Sequence, residues 1–246
     1  MCKGIPKVIH YIWFGGGELN ELQLKCITSW KVHAPDYTIM CWDESNCNIN
    51  ETAYTSQAYQ ARKWAFVSDY FRFKVLAKHG GVYMDVDMEL HKPLDSLLDS
   101  AAFFAFETQD VVHAGMMGAV ANHPTINGLL LTYATDVFVT AGGTLNLSPV
   151  PARVTSALRA QRLVFNGKQQ TLPEGITVYP ANVLTLNRHD GQCIAEHHYE
   201  FSWWEQGMKT THKSYVAKAF TKNGILWALE RKMRRTIRKV RSWLLR

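Results

Sequence analysis

The stretch H79-G-G-V-Y-M-D-V-D-M-E-L90 sets two carboxylates, Asp85 and Asp87, one residue apart inside an otherwise apolar run. In a strand, residues i and i+2 share a face, so both carboxylates point the same way with about 6.5 Å of rise between them. Two anions at that separation repel by about 2.5 kcal/mol at an effective dielectric of about 20, and by less than about 1 kcal/mol in bulk water. Val82, Met84, Val86, Met88 and Leu90 form the apolar alternation of a buried strand face, which makes full solvation the weaker relief. The pattern asks for a metal ion or a proton.

Outward from that strand, Gly80 and Gly81 suit a left-handed cap closing a helix that runs from about Ser56 to His79. Further upstream, KVIHYIWF (7–14) is strand-like and ends at Gly15, Gly16 and Gly17. A helix is predicted from about Leu19 to Val32, with Leu22, Cys26 and Ser29 or Trp30 on one face, and DYTIMCWD (36–43) is the next strand. Strand, helix, strand, helix, strand predicts an α/β domain with a mainly parallel sheet, whose ligand sites lie at the carboxyl ends of the strands. Asp85 and Asp87 fall near such an end. Downstream, AAFFAFE (101–107) and GMMGAV (115–120) are expected strands. A helix is expected from about Pro124 to Phe138, then the turn-rich TAGGTLNLSPVP (140–151), and another helix through Leu158.

The 246 residues, 47% hydrophobic and 12% aromatic, support one large domain over 1–222 with a tail over 223–246. The net charge of +6 is a property of that tail: of 27 basic and 21 acidic residues, Gly224–Arg246 holds eight and one, leaving 19 and 20 elsewhere. A nucleic-acid-binding face is therefore not expected. In the tail Leu226, Leu229, Met233, Ile237, Val240 and Leu244 recur at spacings of three and four opposite a basic face. That is the pattern of a basic amphipathic helix, either lying on an anionic membrane surface or packed on its own domain. Five cysteines without a CxxC pair suggest neither a disulfide framework nor a zinc site. With no secretory signal pattern and no apolar run of membrane-spanning length, a cytoplasmic protein is expected, peripheral on the inner membrane face if the tail binds there.

On the helix that feeds the Asp strand, Asp69 and Arg72 are three apart and so share a face. They form either a surface salt bridge of about 0.2–0.5 kcal/mol, or a carboxylate and guanidinium held beside the strand end for a ligand's hydroxyls and oxyanion. WAFVSDYFRFKVLAKHGGVYMDVDMEL (64–90), with its A-x-x-S-D-x-x-R, paired glycine and Y-x-D-x-D, resembles the DxD-containing sugar-binding region of retaining glycosyltransferases. That broad family includes yeast initiating mannosyltransferases, bacterial capsule and O-antigen transferases and, more distantly, clostridial glucosylating toxins. IPKVIHYIWFGG (5–16) looks like its opening strand and AEHHYEFSWW (195–204) like its closing His-x-x-x-x-Ser-Trp element. Ser148-Pro149 departs from the Gly-Pro frequent in relatives, which puts the acceptor-side loop in doubt.

The resemblance implies a GT-A type nucleotide-sugar-binding fold and a UDP- or GDP-linked donor. It also implies a glycan or lipid-linked acceptor, retention of configuration, and a role in capsule- or O-antigen-type polysaccharide synthesis. By position, Asp87 is the principal metal ligand, and Asp85 binds metal or the donor's ribose. Asp69 and Arg72 hold the sugar, Trp13 lies against the base, His197 sits near the metal, and Ser202 with Trp203 closes over the phosphates. The chemistry agrees, because hard oxygen ligands beside a diphosphate select Mn²⁺ or Mg²⁺. Two other readings start from the same residues. A haloacid-dehalogenase-type phosphatase also uses Asp-x-Asp, with Asp85 as nucleophile and Asp87 as acid/base, but Glu89 is foreign to its motif and no second acidic pair follows. A membrane or nucleic-acid adaptor acting through the basic tail leaves Asp69, Arg72, Asp85 and Asp87 without a purpose.

Overall fold

The computed structural model describes residues 4–200. Ser202, Trp203 and the amphipathic segment 223–246 lie outside the described residues.

The first half of the domain alternates strand and helix as its hydrophobic pattern demands. Strand β1 (Val8–Ile12) leads to helix α1 (Glu21–His33). Asn20 caps that helix by accepting from Leu22 and Gln23 N–H, while the Gln23 side chain accepts from Asn20 N–H, which satisfies orphan donors at both ends of the box. Gln23, rather than Leu22, is therefore buried with Cys26 and Trp30. Strand β2 (Thr38–Trp42) follows, then α2 (Ala53–Gln60) and α3 (Trp64–His79). The single long helix expected from Ser56 is thus two: Arg62 takes a left-handed φ of 55° between them, a break with no glycine or proline to announce it.

Helix α3 ends at a backbone only glycine adopts. Gly80 has φ 65° and ψ −165°, which is not the left-handed helical cap expected but a region closed to side chains. Gly81 has φ 101°, and a Cβ there would stand 2.7 Å from Val8 O. This pair turns the chain from α3 straight into β3 (Gly81–Met84), beside β1.

The run that follows does not continue as one strand. β3 stops at Met84, and a turn closed by Met88 N–H to Asp85 O at 3.0 Å carries the chain into β4 (Met88–Leu90). Asp85 and Asp87 therefore sit on a turn between two strands, not on one strand face. The rest of the domain comprises β5 (Ala102–Thr108), β6 (Val111–Val112), β7 (Met116–Ala119), α4 (Pro124–Leu131), α5 (Val150–Ala160), β8 (Gln170–Leu172), β9 (Ile176–Tyr179), α6 (Ala181–Leu184) and β10 (Ala195–His197). Helix α4 ends seven residues before Phe138, the expected limit, and α5 begins at Val150 within the turn-rich segment.

The central sheet has the order β2-β1-β3-β7-β5-β9-β8, with β6 beside β5. The ladders β2/β1, β1/β3 and β5/β9 are parallel, and β3/β7, β7/β5 and β9/β8 antiparallel. Both faces are covered, which explains apolar runs without polar alternation. Along β5, Ala102, Phe104 and Phe106 join the core made with α3, α4 and α5, while Phe103 and Ala105 join the one made with Trp30 of α1 and with Met88 and Leu90. The expected α/β class is borne out. Strand β4 belongs to a separate two-stranded ribbon with β10, in which Met88 pairs with His197 and Glu89 with Glu196. The β3–β4 turn thus hangs between two sheets.

Candidate active site at the β3–β4 turn

Helix α3 supplies the first part of the site because nearly all of it is buried. Asp69 and Arg72 are only 6% and 5% exposed, which removes the surface salt-bridge reading. Arg72 Nη2 donates to Asp69 Oδ1 at 2.7 Å, and Nη1 donates to Ala114 O at 2.8 Å and approaches Asp85 Oδ1 at 3.5 Å. The guanidinium also lies over the Tyr83 ring, 4.7 Å from its centre. Burial pushes the Asp69 carboxyl up to about 6 against the pull of Arg72.

The two carboxylates of the turn are held by different neighbours. Asp85 Oδ1 accepts from the Tyr83 hydroxyl at 2.6 Å, and its backbone N–H bonds Gly115 O at 2.7 Å. Burial, and the negative Asp87 nearby, raise its carboxyl although Arg72 opposes them. Asp87 Oδ1 faces His197 Nε2 at 3.1 Å, and Oδ2 accepts the Glu200 N–H at 2.8 Å. Burial disfavours its charge, yet His197 and the backbone donors outweigh that and hold it down to about 2. His197 is raised in turn: burial lowers it, and the attraction of Asp87, then Asp85 and Glu107, more than offsets this.

Asp85, Asp87 and His197 each present one ligand atom, all within 4.8 Å of one another. Around them three buried polar atoms lack a hydrogen-bond partner among the described residues: Arg72 Nε, His113 Nε2 and His197 Nδ1. Native proteins rarely leave such atoms orphaned, so a polar ligand belongs here. Two carboxylate oxygens and one imidazole fit Mn²⁺ or Mg²⁺, which take oxygen ligands with waters and phosphate oxygens completing the shell. A second group, Glu89, His91 and Glu196, lies on one face of the β4–β10 ribbon. Lys25 at 2.6 Å and His198 at 2.7 Å already engage Glu89, which makes it an ion-pair network.

The structure therefore brings Asp69, Arg72, Asp85, Asp87 and His197 together. Trp13 follows β1, partly exposed, with Nε1 donating to Gly17 O at 2.5 Å. Its backbone N–H bonds Trp42 O at 2.9 Å, on the side of β1 away from β3. Four participants escaped the sequence reading. Tyr83 stands in the Y-x-D-x-D pattern but was given no role, and Glu107 closes the apolar run AAFFAFE; burial raises the Glu107 carboxyl, with His197 opposing. His113 and Gly115 lie in VHAGMM, where a lone polar residue in an apolar segment was the only signal. Burial, with the charge of His197, holds His113 well below the usual imidazole range.

Fold and site together define a class: a mixed α/β domain with a cation-competent acidic cluster at its strand ends, beside a buried carboxylate–guanidinium pair. Residues 20–104 match the family described as glycosyltransferase sugar-binding region containing DXD motif, and the resemblance carried by residues 64–90 is thereby shown. The chain is 30% identical over 128 residues to inositol phosphoceramide mannosyltransferase 3 of Schizosaccharomyces pombe, covering 49% of this chain and 35% of that protein. It is 28% identical over 137 residues to uncharacterized glycosyltransferase L373 of Acanthamoeba polyphaga mimivirus, covering 50% and 53%. It is 30% identical over 131 residues to mannosyl phosphorylinositol ceramide synthase CSH1 of Saccharomyces cerevisiae, covering 49% and 33%. The chain thus spans about a third to a half of the length of these curated relatives. Among solved structures it is similar to PaToxG glycosyltransferase, with TM-score 0.47, 19% identity and coverage of 64% and 69%. It is also similar to the galactosyltransferase LgtC in complex with donor and acceptor sugar analogues, with TM-score 0.42, 12% identity and coverage of 87% and 96%.

Proposed function

We propose that the protein is a metal-dependent glycosyltransferase of GT-A type, moving a hexose from a UDP- or GDP-linked donor to a glycan or lipid-linked acceptor. The observation that carries this is the convergence of Asp85, Asp87 and His197 beside the buried Asp69–Arg72 pair, around polar atoms that lack partners. The match of that same segment to a DXD sugar-binding region supports it. The mannosyltransferase names of the relatives favour a hexose, and their ceramide acceptors favour a lipid-linked one.

Asp87, Asp85 and His197 would hold the cation. When bound, a divalent cation supplies positive charge against the diphosphate leaving group, whose negative charge grows as the glycosidic bond breaks. Arg72 presents a fixed guanidinium, its plane set by Asp69, Ala114 O and the Tyr83 ring, towards the sugar and its phosphate. Trp13 offers the base an aromatic face, and Ser202 with Trp203 is assigned to the phosphates. Each positioned charge or donor of this kind contributes on the order of 10²–10³ in rate. Departure of the phosphate from the face attacked by the acceptor gives retention, and the setting is capsule- or O-antigen-type polysaccharide assembly. The basic tail would keep a cytoplasmic enzyme on the inner membrane face, where a lipid-linked acceptor lies. The phosphatase reading gains no such support, since the family match over the same residues is to a sugar-binding region.

The test is a panel of UDP- and GDP-sugars with Mn²⁺, scored for nucleotide release that depends on the donor. Release from one donor supports the reading; silence across the panel, with glycan and lipid acceptors supplied, overturns it.

A further inference from the structure

Helix α1 grips the Asp87 half of the cluster at several points. Trp30, wholly buried, donates from Nε1 to Met88 O at 2.7 Å, and Ser29 Oγ accepts the Leu90 N–H at 2.8 Å. Lys25 pairs with Glu89 at 2.6 Å. These contacts fix β4, the strand that Asp87 leads into. The other flank of Asp87 is held by the chain leaving β10, where His198 N–H donates to its carbonyl at 3.0 Å and Glu200 N–H to Oδ2 at 2.8 Å. Between those two donors Tyr199 takes a left-handed φ of 50°, a conformation that a bulky residue keeps only where its neighbours over-determine it. Its ring centre lies 4.0 Å from that of His197, and the next side chain, Glu200, accepts from Asn20 Nδ2 at 2.9 Å through Oε2.

Asn20 is thus used twice. Its Oδ1 caps α1, accepting from Leu22 N–H at 3.0 Å and Gln23 N–H at 3.1 Å, and this fixes the amide so that Nδ2 is the atom facing Glu200. A cap needs only the oxygen, and Ser or Asp serves a helix start about as well as Asn. The amide donor is therefore surplus to the helix, and its partner is the residue whose N–H anchors Asp87. The chain of contacts from Asn20 through Glu200, Asp87 and Met88 to Trp30 closes on α1 again, so one packed helix sets both flanks of Asp87. We propose that Asn20 and Glu200 are positioning residues for the cation, a latch from the α1 cap that holds Asp87 in ligating position. This rests on the metal-dependent reading above, and both residues act through Asp87.

The experiment measures Mn²⁺ affinity of the full chain without donor, from the electron paramagnetic resonance of free Mn²⁺, beside kcat at saturating Mn²⁺. Asn20→Ser keeps the cap and drops the amide. Its Kd for Mn²⁺ should rise about fivefold, the loss of one solvent-facing hydrogen bond to a charged group. Its kcat should stay within about twofold of wild type, and its Tm within about 2 °C, because the helix keeps its cap. The reversed pair, Asn20→Asp with Glu200→Gln, preserves the cap, the net charge and one hydrogen bond of opposite sense, and should bind Mn²⁺ within about twofold of wild type. Unchanged affinity in Asn20→Ser, or a reversed pair no tighter than Asn20→Ser, overturns the latch while leaving metal dependence intact. Affinity, kcat and Tm falling together mark a plain structural contact and overturn it as well. A wild-type chain that binds no Mn²⁺ overturns the metal reading, and the latch with it.

Discussion

Protonating His10 should loosen the device that aims the site. His10 is fully buried on β1, its Nδ1 accepts from Trp42 Nε1 at 3.0 Å, and its Nε2–H donates to Gly80 O at 2.8 Å. The neutral ring thus joins β1, β2 and the glycine turn that launches β3. Burial lowers its pKa to about 4, the Gly80 carbonyl opposing and the nearby His79 adding to the fall. Between about pH 6.5 and 4 the unfolded chain binds a proton there that the native chain refuses, so stability is complete above that window and declines as pH falls through it. A shift from 6.5 to about 4 corresponds to about 3.4 kcal/mol in full, of which about 2.5 kcal/mol is gone by pH 4.5. His10→Leu removes the titration and leaves Trp42 Nε1 and Gly80 O unpaired, at a cost of about 2–4 kcal/mol near neutrality. Urea unfolding of both proteins at pH values from 7.5 to 4.5 should show the gap between them narrowing by about 2.5 kcal/mol. Curves that stay parallel to within about 0.5 kcal/mol would refute the claim that His10 is buried as the neutral base.

Three further outcomes are expected. Chelation with EDTA should abolish nucleotide release and added Mn²⁺ or Mg²⁺ restore it; Asp87→Asn should lose about 10²-fold or more in turnover while still folding, and activity indifferent to EDTA would end the metal assignment. Arg72→Lys keeps the charge but loses the planar fork that reaches Asp69 and Ala114 O together, so kcat/KM should fall at least about tenfold and stability by about 1–3 kcal/mol; a silent substitution would show the guanidinium to be dispensable. Deleting 224–246 should leave metal-dependent donor hydrolysis intact and release the protein from anionic liposomes at low salt, whereas unfolding of the truncated chain, or a full-length chain that ignores such vesicles, would make the tail structural.

Local pattern made much of the fold legible. The apolar runs of β1, β2, β5 and β7, the periodicity of α1, and Gly80-Gly81 each announce themselves within a few residues. What stayed hidden was non-local or lacked a local signature. Arg62 breaks a helix with an ordinary side chain, and Val86-Asp87 looks like uninterrupted strand because the residues on either side are buried in one core, though their strands belong to two different sheets. The pairing of β4 with β10 spans more than a hundred residues and leaves no mark at either end. Asp69 and Arg72 were visible as a pair but not as a buried one, since burial depends on what packs over α3. His113 carries no sequence signal of its own, because only the folded chain places it beside Asp85 and Gly115.

The turn that sequence periodicity concealed is what draws the cluster together. Alternate residues of a continuous strand stand about 6.5 Å apart along its axis. The β3–β4 turn brings Asp85, Asp87 and His197 to within 4.8 Å and fixes each carboxylate from a different side. Asp85 is held from α3 and the main sheet, by Arg72, Tyr83 and Gly115 O. Asp87 is held from the ribbon and the segment after it, where His198 N–H donates to its carbonyl at 3.0 Å and Glu200 N–H to its carboxylate at 2.8 Å. A displacement of the ribbon would therefore move Asp87 and His197 together while leaving Asp85 in place.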